Sequence, residues 1–134
     1  MLLTRECDYG LRIIRALGDH KSKTVLTISE MEHVPYKYAY KILKKLKVAG
    51  FVQSQRGATG GYILVRPLSS LSIFDIANAI DERFIITECL RRDAQCPRNT
   101  DDEPCAVHRE LGRIQDLLIR EMRSKSVKEI VESI

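Results

Sequence analysis

The chain has 134 residues, 44% of them hydrophobic and 30% charged, with a net charge of +4. That length suits one domain with a core that needs no disulfides, and the composition excludes a disordered chain. No stretch approaches the run of about 20 apolar residues of a membrane helix, and the mild basicity permits an anionic partner without requiring one. The opening MLLTRECDYG lacks the long apolar core of a signal peptide. The chain is therefore expected to be cytoplasmic, a setting in which thiols stay mostly reduced.

Cys7, Leu11, Ile14 and Leu17 recur at helical spacing, which predicts a helix over 5–18 capped by Thr4 and stopped near Gly18. DHKSKT follows as a polar loop. Thr27 and Glu30 form a capping-box pattern that predicts a short helix to about His33, broken by Pro35. Residues 36–49 predict a further helix with Tyr40, Leu43, Leu46 and Val48 or Ala49 inward, ended by Gly50. FVQSQRGATGGYILVRP predicts two short strands around a glycine-rich hairpin, closed by Pro67. Ser72 and Asp75 form a second capping box before the helix IFDIANAI. A polar, proline-broken stretch carries Cys89, Cys96 and Cys105. Val107, Leu111, Ile114, Leu118 and Met122 then mark a long helix with a narrow apolar stripe. A tail helix, SVKEIVESI, ends the chain.

Helix, short helix, tight connection, longer helix and hairpin is the order of a winged helix-turn-helix. The longer helix would enter the major groove. It carries Lys37, Lys41, Lys44, Lys45 and Lys47, with Tyr36, Tyr38 and Tyr40 near its start. Tyr40 reads as core, since lysines on a helix and an inward tyrosine are also what a plain solvated helix shows. Arg56 sits at the hairpin tip with Gly57, Gly60 and Gly61; an arginine there suits a narrow groove, and glycines let a backbone come close.

The run of Leu43, Leu46, Ala49, Gly50, Val52, Ser54, Arg56, Gly57, Gly60, Gly61, Tyr62, Leu64 and Arg66 resembles the Rrf2 family of bacterial transcription regulators. LTRECDYGLRIIRAL at the start fits as well, so the resemblance spans essentially the whole chain. It implies a homodimeric winged-helix binder of double-stranded DNA, with the helix of 106–123 as the dimerisation helix. The expected DNA contacts are Tyr36, Lys37, Tyr38, Lys41, Lys44, Arg56, Gly57, Gly60, Gly61 and Tyr62.

By spacing alone, three thiols on a polar loop suit an iron–sulfur cluster, a Cys3His zinc site or a redox disulfide. The resemblance implies the cluster-bearing branch of the family, with Cys89, Cys96 and Cys105 as ligands. For a fourth ligand it offers two choices. His108 matches the iron–sulfur-assembly type, with a two-iron cluster. Asp8 of the partner subunit matches the nitric-oxide-sensing type, with a four-iron cluster. Cys7, on an apolar helical face, reads as a buried small residue.

The expected fold is mainly α with a small β-hairpin: a winged helix-turn-helix plus a long C-terminal dimerisation helix. The DNA-binding domain is placed at 1–82, the cysteine loop at 83–105, and the dimerisation and tail helices at 106–134. The expected function is a non-enzymatic transcription regulator, a repressor, whose cluster senses nitric oxide, redox stress or iron status. The alternatives are a zinc-binding or thiol-switch winged-helix protein, or an iron–sulfur adaptor that does not bind DNA. No hydrolytic triad, P-loop or dinucleotide fingerprint is present, and no small-molecule substrate or membrane partner is implied.

Overall fold

The computed structural model describes residues 3–58, 60–81 and 84–133; the boundary drawn at 82/83 lies outside the described residues. The elements are α1 (Arg5–Ala16), α2 (Val25–Glu32), α3 (Tyr36–Val48), β1 (Val52–Gln55), β2 (Gly61–Leu64), α4 (Ile73–Ile80), α5 (Ala106–Met122) and α6 (Val127–Glu132). Short 3-10 turns at Leu68–Ser70 and Glu88–Leu90 precede α4 and α5. β1 and β2 pair antiparallel, with Val52 opposite Leu64 and Gln55 opposite Gly61.

The core lies where α1, α2, α3 and α4 meet, and it is built from Ile13, Ile14, Leu17, Ile28, Ile42, Leu43, Leu46, Leu71 and Ile76, all buried. Truncating one of these to alanine costs about 2–5 kcal/mol. Cys7 belongs to the same cluster, as its place on the apolar face suggests. α1 ends at Ala16, two residues before Gly18, because a turn at Leu17–Asp19 leads into the connection to α2.

Three local readings change. α2 begins at Val25 with Thr24 as its cap, whose Oγ1 accepts from the Thr27 amide at 3.1 Å. Thr27 is thus inside the helix rather than at its start. The reason is tertiary: Lys23 exchanges two backbone hydrogen bonds with Tyr62, of 2.9 and 2.8 Å, and that bridge fixes where the chain turns into α2. On α3 the buried set is Ala39, Ile42, Leu43 and Leu46, so Tyr40 and Val48 face solvent instead of the core. Val48 and Tyr40 lie roughly 100° or more from the centre of that stripe, at 3.6 residues per turn. Gly50 does end α3, at φ 81°, the left-handed step that glycine adopts at no cost.

The Ser72–Asp75 capping box forms as expected, and a second one, Ser126–Glu129, opens α6. α6 folds back onto the segment before α4: the Val127 amide donates to the Leu71 carbonyl at 2.7 Å, and Val127 is buried. α5 contrasts with it. Of its 17 residues, only Met122 in the last turn is buried.

Candidate nucleic-acid interface and thiol loop

At about 100° per residue, the face of α3 opposite its buried stripe carries Lys37, Lys44 and Val48, with Lys41 beside them. Tyr36 and Lys37 in the first turn are exposed. Lys44 holds its ammonium 4.7 Å from the centre of the Tyr40 ring, so the exposed tyrosine supports a lysine rather than the core. Lys47 donates to Ser54 Oγ at 3.0 Å and ties α3 to the wing. Tyr38 turns toward α1, its ring 5.9 Å from that of Tyr9.

Two of the lysines share a carboxylate. Lys41 Nζ donates to Glu6 Oε1 at 2.9 Å and Lys45 Nζ to Glu6 Oε2 at 3.1 Å. Lys45 also donates to the Ile80 carbonyl at 3.0 Å, at the end of α4 where carbonyls lack helical partners. The hydrogen bond from Lys41, with that from Lys45, holds the Glu6 carboxyl below the usual carboxylate range, and Glu6 in turn raises Lys41.

The wing sorts its glycines. Arg56 is exposed at the tip. Gly57 has φ 118° and open space where a Cβ would stand, so its backbone is free to approach a partner. Gly60 is packed within the turn, where a Cβ would meet the Gln55 carbonyl at 2.7 Å. At Gly61 a Cβ would stand 2.1 Å from the Lys23 carbonyl. Gly61 and Tyr62 are therefore part of the joint between wing and helix pair, and Tyr62 is half-buried against the core.

Other polar contacts were not singled out from the sequence, although Asp8 and Arg12 stand at i,i+4 spacing on α1. Glu32, buried at the end of α2, accepts from Arg15 through both oxygens, at 3.1 and 2.5 Å, which satisfies a buried charge bidentately. Arg12 pairs with Asp8 at 2.8 Å. His33 caps α2 in the left-handed region and His20 Nδ1 lies 3.1 Å from the Leu64 carbonyl, which gives both histidines local structural roles.

The thiols sit on three different local structures. Cys89 lies in the 3-10 turn Glu88–Leu90, whose Leu90 packs beside Gly112 of α5. Cys96 shares a short turn with Asn99, whose amide donates to the Cys96 carbonyl at 3.0 Å. The Asn99 side chain also accepts from the Cys105 amide at 2.9 Å, so one residue holds Cys96 and Cys105 together. Cys105 is the N-cap of α5, its sulfur accepting from the His108 amide at 3.5 Å. All four cysteines are unpaired thiols. Among the described residues, no three Cys, His, Asp or Glu side chains are gathered as a metal-holding group. His108 Nδ1 is buried with no hydrogen-bond partner among the described residues. Asp8 stands exposed on α1, with Arg12.

The Rrf2 family model, described as an iron-dependent transcriptional regulator, matches residues 3–133. The chain belongs to the Rrf2 family. Curated relatives include the protein rrf2 of Nitratidesulfovibrio vulgaris, 30% identical over 101 residues, covering 73% of this chain and 67% of that one. A candidate HTH-type regulator of Haemophilus influenzae is 38% identical over 111 residues, covering 81% and 71%. Among solved structures, CymR, the global cysteine regulator of B. subtilis, aligns with a TM-score of 0.75 at 22% identity, covering 98% of this chain and 97% of that one. IscR of T. potens aligns at 0.72 and 19% identity, covering 98% and 86%. These neighbours share the winged-helix fold of this Rrf2 chain.

Proposed function

We propose that this Rrf2 protein is a homodimeric, sequence-specific DNA-binding repressor whose affinity for DNA depends on the state of its thiol loop. The observation that carries the DNA-reading part is the outward face of α3, where Lys37 and Lys44 stand exposed opposite the buried stripe, beside a wing tipped by Arg56. A recognition helix needs that disposition: cations and aromatic groups outward at its start, apolar groups inward. The uncovered α5, with Val107, Ile114 and Leu117 exposed, supports a helix–helix seam with a second copy, which would bring two recognition helices to successive half-sites.

The thiol loop fits an iron–sulfur cluster in its donor chemistry. Cys89, Cys96 and Cys105 would hold it, and the buried, unpartnered Nδ1 of His108 favours His108 as the fourth donor over Asp8 of the partner subunit. Such a cluster supplies a centre reactive toward oxidants and nitric oxide. The protein's part is positional: the loop joins the DNA-reading unit to the start of α5, so fixing its three thiols fixes where α5 begins.

One observation favours a second reading, a thiol switch without iron. Cys105 caps α5, and Asn99 ties its amide to the turn that carries Cys96, which keeps two thiols on neighbouring segments. Anaerobic purification with an absorbance spectrum and iron and sulfide analysis separates the readings. Iron and sulfide in equal amounts support the cluster. A colourless protein with stoichiometric zinc, or with neither metal and a reversible Cys96–Cys105 disulfide, removes it. Gel shifts on genomic fragments test the DNA reading; an adaptor that does not bind DNA retards none of them.

A further inference from the structure

Glu6 stands in the first turn of α1 and spends both carboxylate oxygens on lysines of α3, one each from Lys41 and Lys45. Two anionic oxygens, each receiving one ammonium from a recognition helix, are also what a DNA phosphate presents. Lys41 and Lys45 lie one turn apart on the flank of α3 that adjoins its outward lysines. The contact is not sealed: the Lys41 side chain is 56% exposed, and a cleft of about 420 Å³ opens beside the pair between Tyr9, Tyr38 and Lys45. The ammonium groups thus have a solvent path away from Glu6.

We propose that Glu6 is a built-in competitor of DNA phosphates for Lys41 and Lys45, a proposal that rests on the DNA-binding reading. Either lysine leaves Glu6 before it reaches a phosphate, so the phosphate term of binding is reduced. Non-specific binding consists almost wholly of that term, while specific binding adds base contacts. Glu6 therefore lowers affinity for arbitrary DNA more than for an operator, and it sets specificity without touching a base.

The test measures binding of a random-sequence 30-bp duplex by fluorescence anisotropy between 50 and 200 mM salt, for the wild type and Glu6→Gln. The variant is expected to bind about fivefold tighter at 50 mM, with a salt slope steeper by about 0.9 for each lysine that gains a phosphate. The same substitution in a Lys41→Met/Lys45→Met background is expected to change neither quantity. Circular dichroism establishes that each variant is folded, and Glu6→Ala serves as a second removal of the carboxylate. Equal affinity and slope in wild type and variant would show Glu6 to be a structural tie and overturn the proposal. Weaker binding with a flatter slope would overturn it too, because Glu6 would then be presenting the lysines to DNA. A wild-type protein that binds no duplex at all overturns the DNA reading, and the competitor with it.

Discussion

Replacing Lys44 by alanine removes the ammonium held over the Tyr40 ring on the outward face of α3. The side chain is exposed and pairs with no carboxylate among the described residues, so the fold should lose little: surface changes of this kind stay within about 0.5 kcal/mol. DNA binding should change in a specific way. Each phosphate contact contributes about 0.9 to the slope of log K against log salt. In the proposed homodimer one substitution removes two contacts, so the slope should flatten by about 1.8. Between 50 and 200 mM salt, that makes the variant's fall in affinity about twelvefold smaller than the wild type's. Fluorescence anisotropy on one duplex across that range measures it. Lys41→Ala should flatten the slope less, since Glu6 already engages that lysine. An unchanged slope for Lys44→Ala, in a protein that binds DNA, refutes the placement of α3 in the groove.

Arg56→Ala should weaken binding most on sites with a narrow minor groove, which a comparison of A-tract and mixed-sequence duplexes reads directly. Gly61→Ala should destabilise the protein by about 1–3 kcal/mol, because its Cβ meets the Lys23 carbonyl at 2.1 Å; thermal melts should show it, while Gly57→Ala, with open space around it, should fall well short. Ile114→Glu with Leu117→Glu should convert a dimer to monomers in sedimentation while leaving the monomer's helical signal, since both side chains are exposed within one chain. The α6 cap should respond to acid. The Ser126 backbone and hydroxyl hold the Glu129 carboxyl below its ordinary 4.5, so the cap's contribution is fully present above 4.5 and is lost as pH falls through the lowered value. Amide exchange in α6 should speed up across that acid window and stay constant between pH 6 and 8.

Where a signal is local, the sequence carries it. Ser72 with Asp75 marks the start of α4, Gly50 the end of α3, and the run around RGATGG the hairpin. The errors arise where a distant group decides. Thr27 has the look of a cap, but the bridge between Lys23 and Tyr62 sets the start of α2 at Thr24. Tyr40 fits a helical stripe, yet small Ala39 faces the core and Tyr40 carries Lys44 outside. Glu6 lies 35 residues from Lys41, and nothing in the spacing between them announces a pair. At the thiol loop, the sequence names the three cysteines and His108 as candidate donors. The link that Asn99 makes between Cys96 and Cys105 is not legible there, because a side-chain amide in a polar loop reads like any other turn residue.

The position of that loop gives the proposed control a mechanical basis. α5 is anchored at its C-terminal end, where Met122 is buried, Arg123 lies 4.3 Å from the Phe74 ring centre, and Val127 docks beside Leu71. No residue of its N-terminal turns is fully buried. They meet the preceding segment where Leu90 packs near Gly112 and where the Ile86 amide donates to Gln115 at 3.0 Å. A helix of 17 residues is about 25 Å long, and under the proposed control a change in the loop at Cys105 would tilt it about the Met122 anchor. In a dimer built on α5, such a tilt turns one DNA-reading unit against the other. Half-sites are spaced by the helical turn of DNA, and a pair of recognition helices re-angled in this way no longer meets both. The thiols sit at the end of α5 remote from that anchor, where a force from the loop would have its longest arm about Met122.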